Sequence, residues 1–135
     1  MLKAVLLVGC VTLGYFTVLW PLLGHVGQAV MTGLLAAPLF SMTLLISCWL
    51  LHGRQWTAFW IANIALTVIF GGLELHGLLA AGHRASRFGG YPLSADGHLT
   101  YAGVASLVLD ESICVLSNLI GFCLFRLSVM SFELE

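Results

Sequence analysis

The chain has 135 residues, 60% of them hydrophobic and 8% charged, with a mean hydropathy of +1.03 and a formal net charge of −1. A soluble domain carries about 25% charged residues, so this composition excludes an ordinary water-facing surface and points to membrane insertion. No basic block occurs, which argues against nucleic acid as a partner. The length suits one transmembrane bundle over residues 1–135, without a separate soluble domain.

Four apolar segments are expected to span, at about 4–23, 29–51, 56–81 and 101–125. Each is close to the roughly 20 residues a spanning helix needs. Strand-like alternation is absent, and a helix satisfies its backbone groups within the segment, so helices are expected throughout. The first segment follows Lys3. It contains Leu7-Val8-Gly9-Cys10, the form of a bacterial lipoprotein cleavage box. The apolar run before it is shorter than the roughly 7–15 residues of a signal peptide, and it continues past Cys10, so a retained span is expected. Pro21 is expected to end or bend this helix, and Pro38 to kink the next.

The second segment places Gly33, Ala37, Ser41, Cys48 and His52 along one side, a packing seam. The links at 24–28 and 52–55 are short enough to make successive helices antiparallel. The third segment carries Asn63, Thr67 and Glu74 within about 40° of one another on a helical wheel. The outer loop, 83–100, holds the turn signals Gly89-Gly90, Tyr91-Pro92 and Asp96-Gly97, and Thr100 is placed to cap the last helix. The last segment carries adjacent acids, Asp110 and Glu111. Gly103, Ser106, Ser117 and Gly121 lie within about 40° of Asp110, and Cys114, Asn118 and Glu111 widen that face to about 100°. The opposite face is Ala105, Val108, Leu116, Leu119 and Cys123. One side of this helix is expected to meet protein and the other lipid.

The expected fold is therefore an all-α polytopic membrane protein, an antiparallel bundle of four transmembrane helices. Lys3, Arg54 and Arg126 against Arg84 and Arg87 place both termini on the cytoplasmic side, by a margin of one residue, in a bacterial inner membrane. Trp20, Trp49, Trp56, Trp60 and Tyr101 lie near the span ends, as interfacial anchors do. The four cysteines, Cys10, Cys48, Cys114 and Cys123, form no C-x-x-C pair and read as packing residues.

An ionised carboxylate at mid-span costs about 2.5–3.5 kcal/mol on insertion-derived scales and normally faces protein or trapped water. Pairing the last two helices antiparallel brings Glu74 to a depth comparable to that of Asp110 and Glu111. No Lys or Arg lies within a span core to neutralise three acids in one layer. One of them is then protonated near neutral pH, or a cation is bound. Glu74, Asp110 and Glu111 are the candidate proton or cation site, and Asn63, Thr67, Ser106, Ser117 and Asn118 are the candidate path-lining or inter-helix polar residues.

His25, His76, His83 and His98 fall on the outer side and His52 on the inner. Imidazole binds copper, zinc and haem iron. The outer four are candidate ligands for a metal ion or haem drawn from several helices, because His76 and His83 lie about 10 Å apart along their helix. No hydrolase, metalloprotease, phosphate-loop or dinucleotide motif occurs, so a catalytic role is disfavoured. The leading expectation is a small transporter or channel-like protein with an intramembrane carboxylate site, working as a homo-oligomer. The alternative is an accessory, non-catalytic subunit of a larger membrane complex. A third reading is a metal- or haem-binding redox protein.

Overall fold

The computed structural model describes residues 1–24, 26–81, 86–87 and 91–133. Four helices dominate: α1 (Leu2–Leu23), α2 (Val26–Leu50), α3 (Gln55–Ala81) and α4 (Tyr101–Glu133). All four are long and apolar enough to cross a membrane. Between α3 and α4 lie two short antiparallel pairs, β1 (Ser86–Arg87) with β2 (Tyr91–Pro92), and β3 (Ser94–Ala95) with β4 (His98–Leu99). The fold class is all-α. Its contacts divide into two compact units. One comprises Met1–Asn63 with Ile113–Glu135, and the other Ile64–Ser112.

The helix ends follow from local chemistry. Gly24 closes α1 in the left-handed conformation (φ 65°), and its N–H donates to Trp20 O. After α2, Gly53 N–H reaches Cys48 O at 2.9 Å and His52 N–H reaches Trp49 O at 3.3 Å. This is the Schellman pattern, which satisfies carbonyls that would otherwise face an apolar medium. His52 takes the left-handed position (φ 53°), where glycine is usual. Ahead of α4, Thr100 Oγ1 accepts from Gly103 N–H at 3.1 Å and donates to Pro92 O at 2.6 Å. The threonine thus caps the helix and ties it to the preceding turn.

Asp96 and Gly97 both have positive φ, 52° and 76°, and join β3 to β4. That is the geometry of a two-residue type I′ hairpin, for which Asp-Gly is a preferred pair. The hairpin is seated on the helices of its own unit. Ser94 Oγ donates to Leu78 O at 2.7 Å. Leu93, buried, lays its carbonyl against Gly103, where any Cβ would collide with it.

The first unit is built around one aromatic stack. Phe59 of α3 lies against Phe122 of α4 with ring centroids 4.9 Å apart and an interplanar angle of 24°. Phe40 of α2 meets Phe59 edge-on at 5.8 Å, and Trp56 meets Phe122 edge-on at 5.2 Å. Such pairs add about 0.5–1.5 kcal/mol beyond the area they bury. Helix α1 contributes Leu7, Val11, Tyr15 and Leu19, buried at every fourth position. It meets α4 through glycine. A Cβ on Gly14 would strike Ser117 O and Gly121, and one on Gly121 would strike Val11 Cα and Cys10 O. The two backbones approach this closely only because neither residue has a side chain.

Helix α4 runs eight residues beyond the expected boundary at Phe125. Arg126, just past that boundary, is half-buried with its guanidinium 5.6 Å from the Trp56 ring centroid. Leu127 to Glu133 contain no glycine or proline, so nothing breaks the backbone ladder. At 33 residues the helix is about 50 Å long, against about 40–45 Å for a bilayer with its head groups.

The glycine contact gives a direct test. Gly121→Ala is expected to cost about 1–3 kcal/mol through overpacking, read as a lowered melting temperature in detergent. Gly9→Ala places its methyl on α1 in open space and is expected to leave the melting temperature unchanged or slightly raised.

Candidate functional site

Two polar contacts between α3 and α4 stand out, one in each unit. In the second unit, Glu111 of α4 is half-buried and hydrogen-bonds the Thr67 side chain of α3. Its carboxylate lies against Gly71. A Cβ built there would stand 3.3 Å from Glu111 Oε1 and 3.6 Å from its Cδ. Thr67 and Gly71 are four residues apart and therefore share a face of α3. One offers a hydroxyl and the other the room for a carboxylate to reach it.

Glu74 lies three residues beyond Gly71, about 4.5 Å further along the α3 axis. It is half-buried and engaged with its own surroundings, as is Asp110 beside Glu111 on α4. The structure thus sets Glu111 against the Thr67–Gly71 step, one turn along the helix from Glu74. Asp110 directly precedes Glu111 on the same helix. Ser106 is buried and engaged, whereas Ser112 is exposed and returns its hydroxyl to Val108 O at 2.6 Å.

In the first unit, Asn63 and Asn118 form a buried pair. Asn118 Nδ2 donates to Asn63 Oδ1 at 2.9 Å, and Asn63 Nδ2 donates to Phe59 O at 2.9 Å. Ser117 is fully buried, and its hydroxyl donates within its own helix to Ile113 O at 2.8 Å. Its polarity is therefore spent on the backbone.

Of the candidate metal ligands, His76 and His98 are both exposed, and His25 and His83 lie outside the described residues. Among the described residues no three His, Cys, Asp or Glu side chains converge as a metal site. An open depression of about 490 Å³ lies at the α2–α3 turn, lined by Cys48, Trp49, Leu50, His52 and Gly53. It includes none of the candidate carboxylates.

Sequence reading placed Thr67, Glu111 and the asparagine pair among the candidates but not Gly71. The signal was present, since Gly71 falls between Thr67 and Glu74 on the polar stripe of α3, where a missing side chain makes room. No family model, curated protein or solved structure matches this chain. What fold and composition define is a class: an all-α protein with four candidate transmembrane helices, the mark of an integral membrane protein.

Removing the Thr67 donor isolates its contribution. Thr67→Val keeps the shape and leaves Glu111 short of a hydrogen bond, at an expected cost on the order of 1 kcal/mol. Thr67→Ser keeps the donor and is expected to hold wild-type stability. Thermal unfolding of the two variants in the same detergent checks the difference.

Proposed function

We propose that the protein is a small integral membrane transporter or channel-like protein in which Glu111 binds a proton or a cation inside the bilayer. Asp110 and Glu74 act as its charge partners, and Thr67 and Ser106 are polar wall. In this reading the four helices form an antiparallel bundle in a bacterial inner membrane, with both termini cytoplasmic.

One observation carries the proposal: Glu111 sits on an apolar helix with its carboxylate against the Thr67–Gly71 step. An ionised carboxylate within a span costs about 2.5–3.5 kcal/mol on insertion scales. One hydroxyl hydrogen bond in a membrane recovers on average about 0.6 kcal/mol. A group that stays well short of compensation as an isolated anion is suited to holding a proton or a cation. Intramembrane acids serve that role in pumps and transporters. The two-helix contact is small for a complete pathway, so a homo-oligomer is part of the reading.

A second reading, an accessory subunit of a larger membrane complex, is favoured by the half-exposure of Glu74 and Asp110. Acids at that position are available to helices of a partner.

Reconstitution separates the two. In proteoliposomes carrying a pH-sensitive dye, Glu111→Gln is expected to abolish pH-gradient dissipation while the variant keeps its helicity and elution volume. Glu111→Asp is expected to retain part of the flux. Wild-type flux in Glu111→Gln would overturn the carboxylate site. Recovery of a stoichiometric larger partner, with no flux from the isolated protein, would favour the subunit.

A further inference from the structure

The charges of this chain are unevenly placed. Of its 6 acidic residues, Glu74, Asp96, Asp110 and Glu111 belong to the second unit, and the first carries only Glu133 and Glu135, at the end of the sequence. Residues 48–57, which join α2 to α3, include His52 and Arg54 and no acid, and the first turn of α3 has none. Arg54 opens that helix. Its carbonyl accepts from Ala58 N–H at 2.9 Å, and its side chain is exposed. Arg126 comes to the same helix end from α4. Its guanidinium lies 5.6 Å from the Trp56 ring centroid, and Phe122, one turn earlier on α4, meets that ring edge-on at 5.2 Å. Among the described side chains, neither arginine is paired with a carboxylate.

A guanidinium stacked on an indole uses its face, which leaves its N–H donors pointing outward in the plane. That planar fork matches the paired oxygens of a phosphate. The tryptophans of this end set its depth. Trp49, Trp56 and Trp60 are 80%, 46% and 51% exposed, and tryptophans exposed at the ends of spanning helices sit at head-group level, where lipid phosphates lie. Next to Arg54 in the chain is the open depression of about 490 Å³, with Trp49 and Leu50 in its wall and Gly53 at its edge. It offers apolar room directly beside a guanidinium. Basic pockets at the ends of membrane helices hold phosphorylated head groups by this combination.

We propose that the turn joining α2 and α3 is a binding site for an anionic phospholipid. Arg54 and the Trp56-stacked Arg126 take the lipid phosphate, and the Trp49–Leu50 wall of the depression takes the start of an acyl chain. Charge selects the head group. A zwitterionic lipid brings an ammonium group, and residues 48–57 offer it no acid, so a lipid of net negative charge is preferred. The site rests on membrane insertion alone and stands if the Glu111 reading fails.

Native mass spectrometry of the full chain, released from micelles containing equal amounts of phosphatidylglycerol and phosphatidylcholine, tests it. The wild type is expected to retain phosphatidylglycerol in preference. Arg54→Gln and Arg126→Gln are each expected to lower that preference about fivefold. Arg87→Gln removes a charge from β1 in the second unit and is expected to leave it unchanged. Equal retention of the two lipids by the wild type would overturn the proposal. So would an unchanged preference in Arg54→Gln, or a loss in Arg87→Gln as large as in Arg54→Gln, which would mark a diffuse effect of net charge. Arg54 is exposed and its side chain supports no packing contact among the described residues, so that variant decides the matter even where Arg126→Gln fails to fold.

Discussion

In a medium that offers no hydrogen bonds, every polar group must find its partner within the chain, and this constraint governs nearly every polar residue of the protein. It explains why the spans are helices, and also where the hydroxyls go. Thr12, Thr43, Ser112, Ser117, Ser128 and Ser131 each donate to the carbonyl four residues earlier, and Thr17 to the one three residues earlier. A hydroxyl used in this way is nearly silent to its neighbours, because its polarity is returned to the helix that carries it. Among the described residues, polar contacts that reach across to another helix include the Asn63–Asn118 amide pair in the first unit and Glu111 with Thr67 in the second.

Packing does much of the work of association. Lipid tails are as apolar as leucine, so burying leucine between helices gains little there. Close approach and shaped contact matter more. Gly14 and Gly121 bring the backbones of α1 and α4 together, and the Phe59–Phe122 stack with the Phe40 and Trp56 edges locks α3 between α2 and α4 in the same unit. The Asn63–Asn118 bond lies one helical turn from that stack, on the same pair of helices. At an average of about 0.6 kcal/mol for a hydrogen bond in a membrane protein, with an upper value near 1.7, it contributes less than the aromatic contacts together. Its effect is on register. A shift of one residue along either helix would part the amides and misalign the rings.

Much of this was legible from residue type and spacing. The four helices follow from uninterrupted apolar length, and Thr100 as a cap and Asp96-Gly97 as a turn follow from local backbone chemistry. The polar stripes on α3 and α4 follow from the 100° step of a helix, which needs no tertiary knowledge. What escaped depends on partners that only the fold supplies. Gly71 is one of 15 glycines, and only the carboxylate opposite it distinguishes it from Gly72, which faces open space. Arg126 falls just past the expected end of the last span. Its cation–π partner, Trp56, is 70 residues away in the chain and becomes adjacent only once α3 and α4 have paired. The wheel gave Ser117 and Asn118 similar standing, yet the serine bonds inward to its own helix and the asparagine outward to another. That difference arises from side-chain length: the serine hydroxyl sits close enough to its own backbone to reach Ile113 O, whereas the longer amide spans the gap between helices.

Side-chain length also separates Glu111 from Asp110. The two acids are adjacent and both half-buried, and a helix turns 100° between them, so they do not share a direction. The longer glutamate reaches the Thr67 hydroxyl on α3, and the missing side chain at Gly71 keeps the approach open. A purely structural role would be met as well by a glutamine, which accepts the same threonine hydrogen bond without the cost of a charge. In the proposed reading the acid is what matters at this position, because its charge changes with the protons or cations around it and a glutamine's does not.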